Sequence, residues 1–268
     1  MAGSMPGWEA HRSRLPMDAH DVTAIARPRL FLTRVAEVQA LGLLRHYEAL
    51  LDDSEFVRVR RLVFERHRQR FLITRALVRT TLAAQLGCSA DELAFAVGPQ
   101  GKPTLVGGGP QFNIAHTDDC VVLALGGAHA VGVDVESPGT VAPLDVADHL
   151  FAPGERMALN RLPVAARHRR FYELWTLKES LLKARGDGFA GGLDGCEFDL
   201  DQPGRVWRVA SRSIMAGEQA WSFLQLQTPE GDIIALCSAA ARMADPVCVH
   251  AVPLLGQSPA DLHVTRRG

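Results

Sequence analysis

From Glu55 to Leu86 the chain runs without a proline or a glycine, places Phe71, Leu72, Val78 and Leu82 at helical spacing, and then meets Gly87. Such a stretch has few alternatives to one long helix, or two abutting ones, over 55–86, and glycine ends it by taking the left-handed turn without strain. A first strand at 29–33 precedes it. The next fifty residues have the opposite texture: short apolar runs at 93–97, 111–114, 120–125 and 130–135, punctuated by Gly and Pro, read as strands, and Gly126-Gly127 predicts a hairpin between the last two. After Ser137-Pro138-Gly139 the order repeats. Phe151-Ala152-Pro153-Gly154-Glu155 opens a short helix, 167–185 reads as a long one, and strands return at 196–200, 206–209, 221–227 and 233–239.

Helix followed by antiparallel strands therefore occurs twice. This predicts an α+β fold of two similar halves packed side by side, with the cleft between them as a natural ligand site. The expected division is a flexible N-terminal arm at 1–27, halves at 28–140 and 141–245, and a C-terminal tail at 246–268. With 268 residues, 47% of them hydrophobic, the chain carries enough apolar material for such cores. No window approaches the roughly 20 apolar residues of a membrane span. The first thirty residues lack the apolar core of a secretory signal, so a cytoplasmic protein is expected. A net charge of −1 gives no field that argues for nucleic acid or a membrane surface. Cys88, Cys120, Cys196, Cys237 and Cys248 are widely spaced with no C-x-x-C pair, and are expected as buried free thiols.

Three constellations carry chemistry. Val131-Gly132-Val133-Asp134-Val135-Glu136 alternates in a way that defines a strand and sends the Asp134 and Glu136 carboxylates from one face. Paired acids suit a hard cation such as magnesium, which takes carboxylate oxygens together with substrate phosphates. A solvated acidic strand face has the same pattern. On the second long helix Trp175, Glu179 and Lys183 fall at i, i+4 and i+8 and share a face, either as a surface ion pair or as a general base beside a cation that neutralises phosphate. Gly101-Lys102-Pro103 sets a lysine on a rigid turn where it can meet phosphate as a point charge, and His116 closes Phe112-Asn113-Ile114-Ala115-His116, where Asn113 can fix a turn.

Eight arginines lie between Arg58 and Arg79 with a single acid, Glu65. Arg66 and Arg70 share one helix face while Arg68, Arg75 and Arg79 share another, so one or two can reach a phosphate and the rest are solvated. Gly107-Gly108-Gly109-Pro110 lacks the Lys-Ser/Thr ending of a P-loop and reads as a loose connection.

In this order, Gly101-Lys102-Pro103, Phe112 to His116, Gly132 to Glu136 and Trp175-Thr176-Leu177-Lys178-Glu179-Ser180-Leu181-Leu182-Lys183-Ala184-Arg185-Gly186 resemble the 4′-phosphopantetheinyl transferase superfamily, in its longer, surfactin-synthetase-activating type. The resemblance covers about residues 28–240. It implies two pseudo-twofold-related halves with coenzyme A and magnesium between them, and transfer of phosphopantetheine to a serine of an apo carrier protein with release of 3′,5′-ADP. It further implies Asp134, Glu136 and Glu179 as metal ligands, Glu179 as the base, Lys183 as the stabiliser of the departing phosphate, and Lys102, His116, Arg66 and Arg75 as coenzyme A ligands. Ala115 departs from the family's serine, which puts one hydrogen bond to coenzyme A in doubt. A magnesium-dependent phosphohydrolase or a non-catalytic binding module could use the same fold. The intact acids and Lys183 favour the transferase. Two fused halves favour a monomer, and because carriers are acidic and helical the basic stretch 58–70 is a candidate docking face.

Overall fold

The computed structural model describes residues 27–137, 139, 141–186, 188, 195–209 and 220–268. Of the expected N-terminal arm only Arg27 falls among them. Strand β1 (Arg29–Arg34) leads through α1 (Val35–Ala40) and α2 (Leu44–Glu48) to α3 (Asp53–Arg61) and α4 (Glu65–Leu86). The stretch 55–86 is thus two abutting helices. A capping box starts the first: Asp52 accepts from the Glu55 amide and Glu55 from the Asp52 amide. The chain straightens at 62–64, where an exposed valine and phenylalanine lose rotamer freedom if the helix continues. Gly87 ends α4 at φ 70°, as expected.

Strands β2 (Phe95–Val97), β3 (Pro103–Leu105), β4 (Gln111–His116), β5 (Cys120–Gly127) and β6 (Val131–Glu136) come after it. Helices α5 (Leu144–Leu150), α6 (Pro153–Arg161) and α7 (Val164–Arg185) come next, the last ended by Gly186 at φ 76°. The remaining strands are β7 (Glu197–Asp199), β8 (Trp207–Val209), β9 (Ser222–Gln227), β10 (Ile233–Ser238), β11 (Val247–Val252), β12 (Gly256–Pro259) and β13 (His263–Arg267). No helix among the described residues is long and apolar enough to cross a membrane.

Two main sheets result, ordered β12-β11-β1-β5-β4 and β13-β9-β10-β6. Their strand pairings are antiparallel except β1 with β11. The alternation of side chains along each strand explains the layering. On β5, Val121, Leu123 and Leu125 pack toward α4, while Cys120, Val122 and Ala124 join Val131, Val133, Ile234 and Leu236 of the other sheet. On β10, Ile233, Ala235 and Cys237 join Leu174, Leu177 and Leu181 of α7. The layers therefore run α4, sheet, sheet, α7, and the strands are apolar on both faces because each is covered on both.

Three expectations need correction. Gly126-Gly127 makes no hairpin: β5 pairs with β1 and β4, whereas β6 pairs with β10 in the other sheet. The chain changes sheets there, folding so tightly that a Cβ on Gly126 would lie 2.6 Å from the His129 carbonyl oxygen and 2.8 Å from Val131. The boundary between the halves consequently lies just before β6 rather than at 140. Finally, 246–268 is not a tail, since β11 extends the first sheet beside β1 and β13 extends the second beside β9.

Candidate active site

The site forms where α7 lies against β6. A Cβ on Gly132 would stand 2.0 Å from the Ser180 carbonyl oxygen and 2.3 Å from the Ala184 nitrogen, so only glycine lets helix and strand come this close. The approach brings together Asp134 and Glu136 from the strand and Trp175, Glu179 and Lys183 from the helix. Lys183 Nζ donates to Asp134 Oδ1 at 2.5 Å, and the Trp175 side chain donates to Glu136. Asp134 Oδ2 and Glu179 Oε1 are buried without any partner.

Three carboxylates around one ammonium in a poorly hydrated place are all harder to ionise than usual. Burial is the first cause for each. It raises Asp134 against the pull of Lys183, raises Glu179 with help from the Asp134 charge, and with Asp134 pushes Glu136 up to about 7. Among the described residues no three acids, histidines or cysteines close around a common point as they stand, Asp134 being turned onto Lys183. The donor set nevertheless fits a hard divalent cation. It offers oxygen only, in excess of its positive charge, and two of the oxygens have no partner.

A cleft runs from this point between the halves. One cavity of about 210 Å³ is bounded by Lys102, Asn113 and Ile114 on one side and by Glu179, Lys183 and Gly186 on the other. Through a shared wall of Gly101, Pro103 and Ile114 it adjoins a cavity of about 630 Å³ formed within the first half, where Arg58, His67, Arg70, Arg75 and His116 stand with the acids Asp52 and Glu55. Glu179 and Lys183 thus stand at the smaller cavity, and the arginines gather at the larger one.

The expected coenzyme A ligands divide. His116 stands in the larger cavity, its pKa pulled below the ordinary value by desolvation and then by Arg70, so it is neutral at pH 7 and acts as a hydrogen-bonding group. Arg75 lines the same cavity but is ion-paired with Glu55 and lies over the Phe95 ring at 4.5 Å; burial lowers its pKa, and its Nε has no partner. Arg66 is exposed over Phe64 at 5.4 Å and lines neither cavity, unlike Arg70 one turn on. Lys102 lines the smaller cavity, and its Nζ donates to the carbonyls of Val131, Lys183 and Ala184. Ala115 packs in the core between the sheets and faces neither cavity, so a serine there would bury its hydroxyl away from the cleft.

The sequence reading missed Arg58 and Arg70 as a pair. The break at 62–64, which turns α3 back along α4, is what brings Arg58 to this cavity, and only the exposed Val63-Phe64 hinted at it. It also left open the part played by Asn113, whose Oδ1 accepts from the Val133 amide at 2.9 Å and joins the edge strands β4 and β6 across the two sheets.

Comparison with known proteins gives the same division of the chain. Residues 43–127 match the family described as 4′-phosphopantetheinyl transferase, N-terminal, and residues 130–237 match the 4′-phosphopantetheinyl transferase superfamily. A protein of Synechocystis sp. named as a 4′-phosphopantetheinyl transferase is 36% identical over 189 residues, 64% of this chain and 76% of that one. The 4′-phosphopantetheinyl transferase HetI of Nostoc sp. is 30% identical over 216 residues, 78% of this chain and 86% of that one. A 4′-phosphopantetheinyl transferase of Bacillus subtilis is 29% identical over 191 residues, 70% and 82% of the two chains. On these likenesses the chain belongs to the 4′-phosphopantetheinyl transferase superfamily, enzymes whose shared activity is transfer of the phosphopantetheine group of coenzyme A to carrier proteins.

Proposed function

We propose that the cavity at Glu179 and Lys183 is the transfer centre and the larger, arginine-bearing cavity holds the phosphoadenosine of coenzyme A. The observation that supports this most is that Glu179, with a buried unpartnered carboxylate oxygen and Asp134 close behind it on Lys183, lines a cavity that adjoins one carrying Arg58, Arg70 and His116, Arg70 being ion-paired with the exposed Asp118. Magnesium is the proposed cation, held by Asp134, Glu136 and Glu179; when bound it would neutralise diphosphate oxygens. Glu179, directly or through water, takes the proton of the carrier serine. The serine oxygen bonds to the β-phosphorus, the bond from that phosphorus to the bridging oxygen breaks, and 3′,5′-ADP leaves with the electron pair. Lys183, beside Asp134, stabilises the charge that grows on the departing phosphate.

The surfactin-synthetase-activating type is favoured because both walls of the cleft come from one chain, which also favours a monomer. Five cysteines with no disulfide among the described residues fit a reducing, cytoplasmic setting. For the carrier we favour the α3–α4 corner, where Arg60 and Arg61 adjoin exposed Phe56, Val57, Val63 and Phe64. The test is intact-mass spectrometry of apo fatty-acid, polyketide and peptide carriers incubated with the protein, coenzyme A and magnesium. A gain of one phosphopantetheine, abolished by EDTA and by Glu179→Ala, is expected. Free phosphopantetheine without acceptor labelling would replace transfer with hydrolysis, and coenzyme A binding without turnover would replace it with a binding module.

A further inference from the structure

We infer that Lys102 is a positioning residue: from the first half its ammonium fastens the C-terminal turn of α7 to the start of β6, and so sets the spacing of Lys183 and Asp134. The inference rests on the transfer reading above and deepens it. Lys102 Nζ donates to Lys183 O at 2.8 Å, Ala184 O at 3.0 Å and Val131 O at 3.2 Å. An ammonium has three protons, so its donors are fully used.

The acceptors are significant. The last carbonyls of a helix have no partner within it and carry its negative pole. In α7 the Gly186 amide takes the carbonyl of Leu182, and Lys102 takes the next two. Its third acceptor, Val131, opens the strand that bears Asp134. Helix and strand already touch at Gly132, where no side chain fits; Lys102 supplies a second fixed point beyond it. Two fixed points set both the distance between the elements and their rotation, and with them the 2.5 Å contact of Lys183 with Asp134. The strut itself is stiff. Lys102 sits in a turn closed by Gly98 N to Lys102 O at 2.9 Å and Gly101 N to Gly98 O at 2.9 Å, with Pro103 next. A cation spent in this way acts on the transfer through the groups it orients.

The experiment compares the full chain with its Lys102→Met and Lys102→Gln variants in steady-state transfer to an apo carrier, using coenzyme A and 3′-dephospho-coenzyme A. Hydrogen exchange is measured along α7. The strut predicts a kcat about 10–100-fold lower, the loss expected when reacting groups are slightly misplaced. The KM for coenzyme A stays within about twofold, because ground-state binding is untouched. Preference for coenzyme A over the dephospho form is unchanged, and exchange rises only in the last turn of α7. A raised KM at unchanged kcat, or a lost preference for the 3′-phosphate, would overturn the inference and make Lys102 a phosphate ligand. Loss of the whole fold in both variants would overturn it too, since a strut on one helix end has a local effect. If the unaltered protein transfers nothing, the transfer reading fails instead, while the exchange measurement still reports on the strut.

Discussion

Helices α4 and α7 are the same object built twice. Each has 22 residues, opens without a side-chain cap, ends on a left-handed glycine and buries most of its C-terminal half. Their charges are handled in opposite ways. On α4 the buried Arg79 donates to Glu55, Asp52 and the carbonyls of Ala90 and Leu93, and Arg75 is paired with Glu55. On α7 the balance closes at Lys178, which is ion-paired with Glu155 at 2.7 Å and donates to the Cys196 carbonyl, and fails one residue later at Glu179. A buried charge with all its partners, as at Arg79, reads as scaffold, whereas the neighbouring Arg75 keeps an unpartnered Nε on the wall of the larger cavity. Buried acid left short of partners reads as a place where something else must bind.

Substitutions test that contrast, beginning with the largest effect. Glu179→Gln removes the proposed base and should lower kcat about 10²–10⁴-fold in the carrier mass assay. Thermal stability of the metal-free protein should hold or rise, since burial opposes the Glu179 charge; a large loss of stability would place Glu179 with the scaffold. Arg79→Met should do the reverse. It takes one of the two arginines from Glu55 and the only ion-pair partner among the described residues from Asp52, and should cost about 3–5 kcal/mol in urea unfolding, with kcat of the folded protein nearly unchanged.

Arg58→Ala and Arg70→Ala should each raise the KM for coenzyme A about tenfold, the worth of a hydrogen bond to a charged group, with little change in kcat. The remaining test concerns Glu136. Its pKa rises from 4.5 unfolded to about 7 folded, so between those values the unfolded chain gives up the proton first and the parent protein loses stability as pH rises. Metal-free Glu136→Gln should therefore match its parent near the lower value, become increasingly more stable than it toward pH 7, and keep a constant advantage above. A flat difference in melting temperature across that window would remove the burial argument for this acid.

Much of the fold was legible because its signals are local. The absence of Pro and Gly over 55–86, and glycines 87 and 186 after apolar periodicity, locate both long helices, and alternation in 131–136 reveals which acids share a face. Sheet partnership was not legible. Nothing in Gly126-Gly127 says whether the chain turns back or changes sheets, because a glycine pair permits both and the choice is made by the packing of β6 under α7. The acids and Lys183 could be read from spacing, since strand and helix periods fix who shares a face. The use of Lys102, Arg66 and Arg75 could not. Whether a cation meets a ligand or a neighbouring carbonyl or carboxylate depends on elements far away in the chain: Lys183 and Ala184 for the first, Glu55 for the last.

Strands β11 and β13 also guard the molecule against itself. The match to the superfamily model ends at residue 237, and a fragment cut there would look complete by that criterion. It would lack both outer strands. β1 would show the open side now covered by β11, and β9 the side now covered by β13, each a row of unpaired amides and carbonyls on an apolar strand. Such a fragment should associate edge to edge in size-exclusion chromatography rather than run as a small single species. The region outside the recognisable family core is what keeps that core from sticking to its own copies.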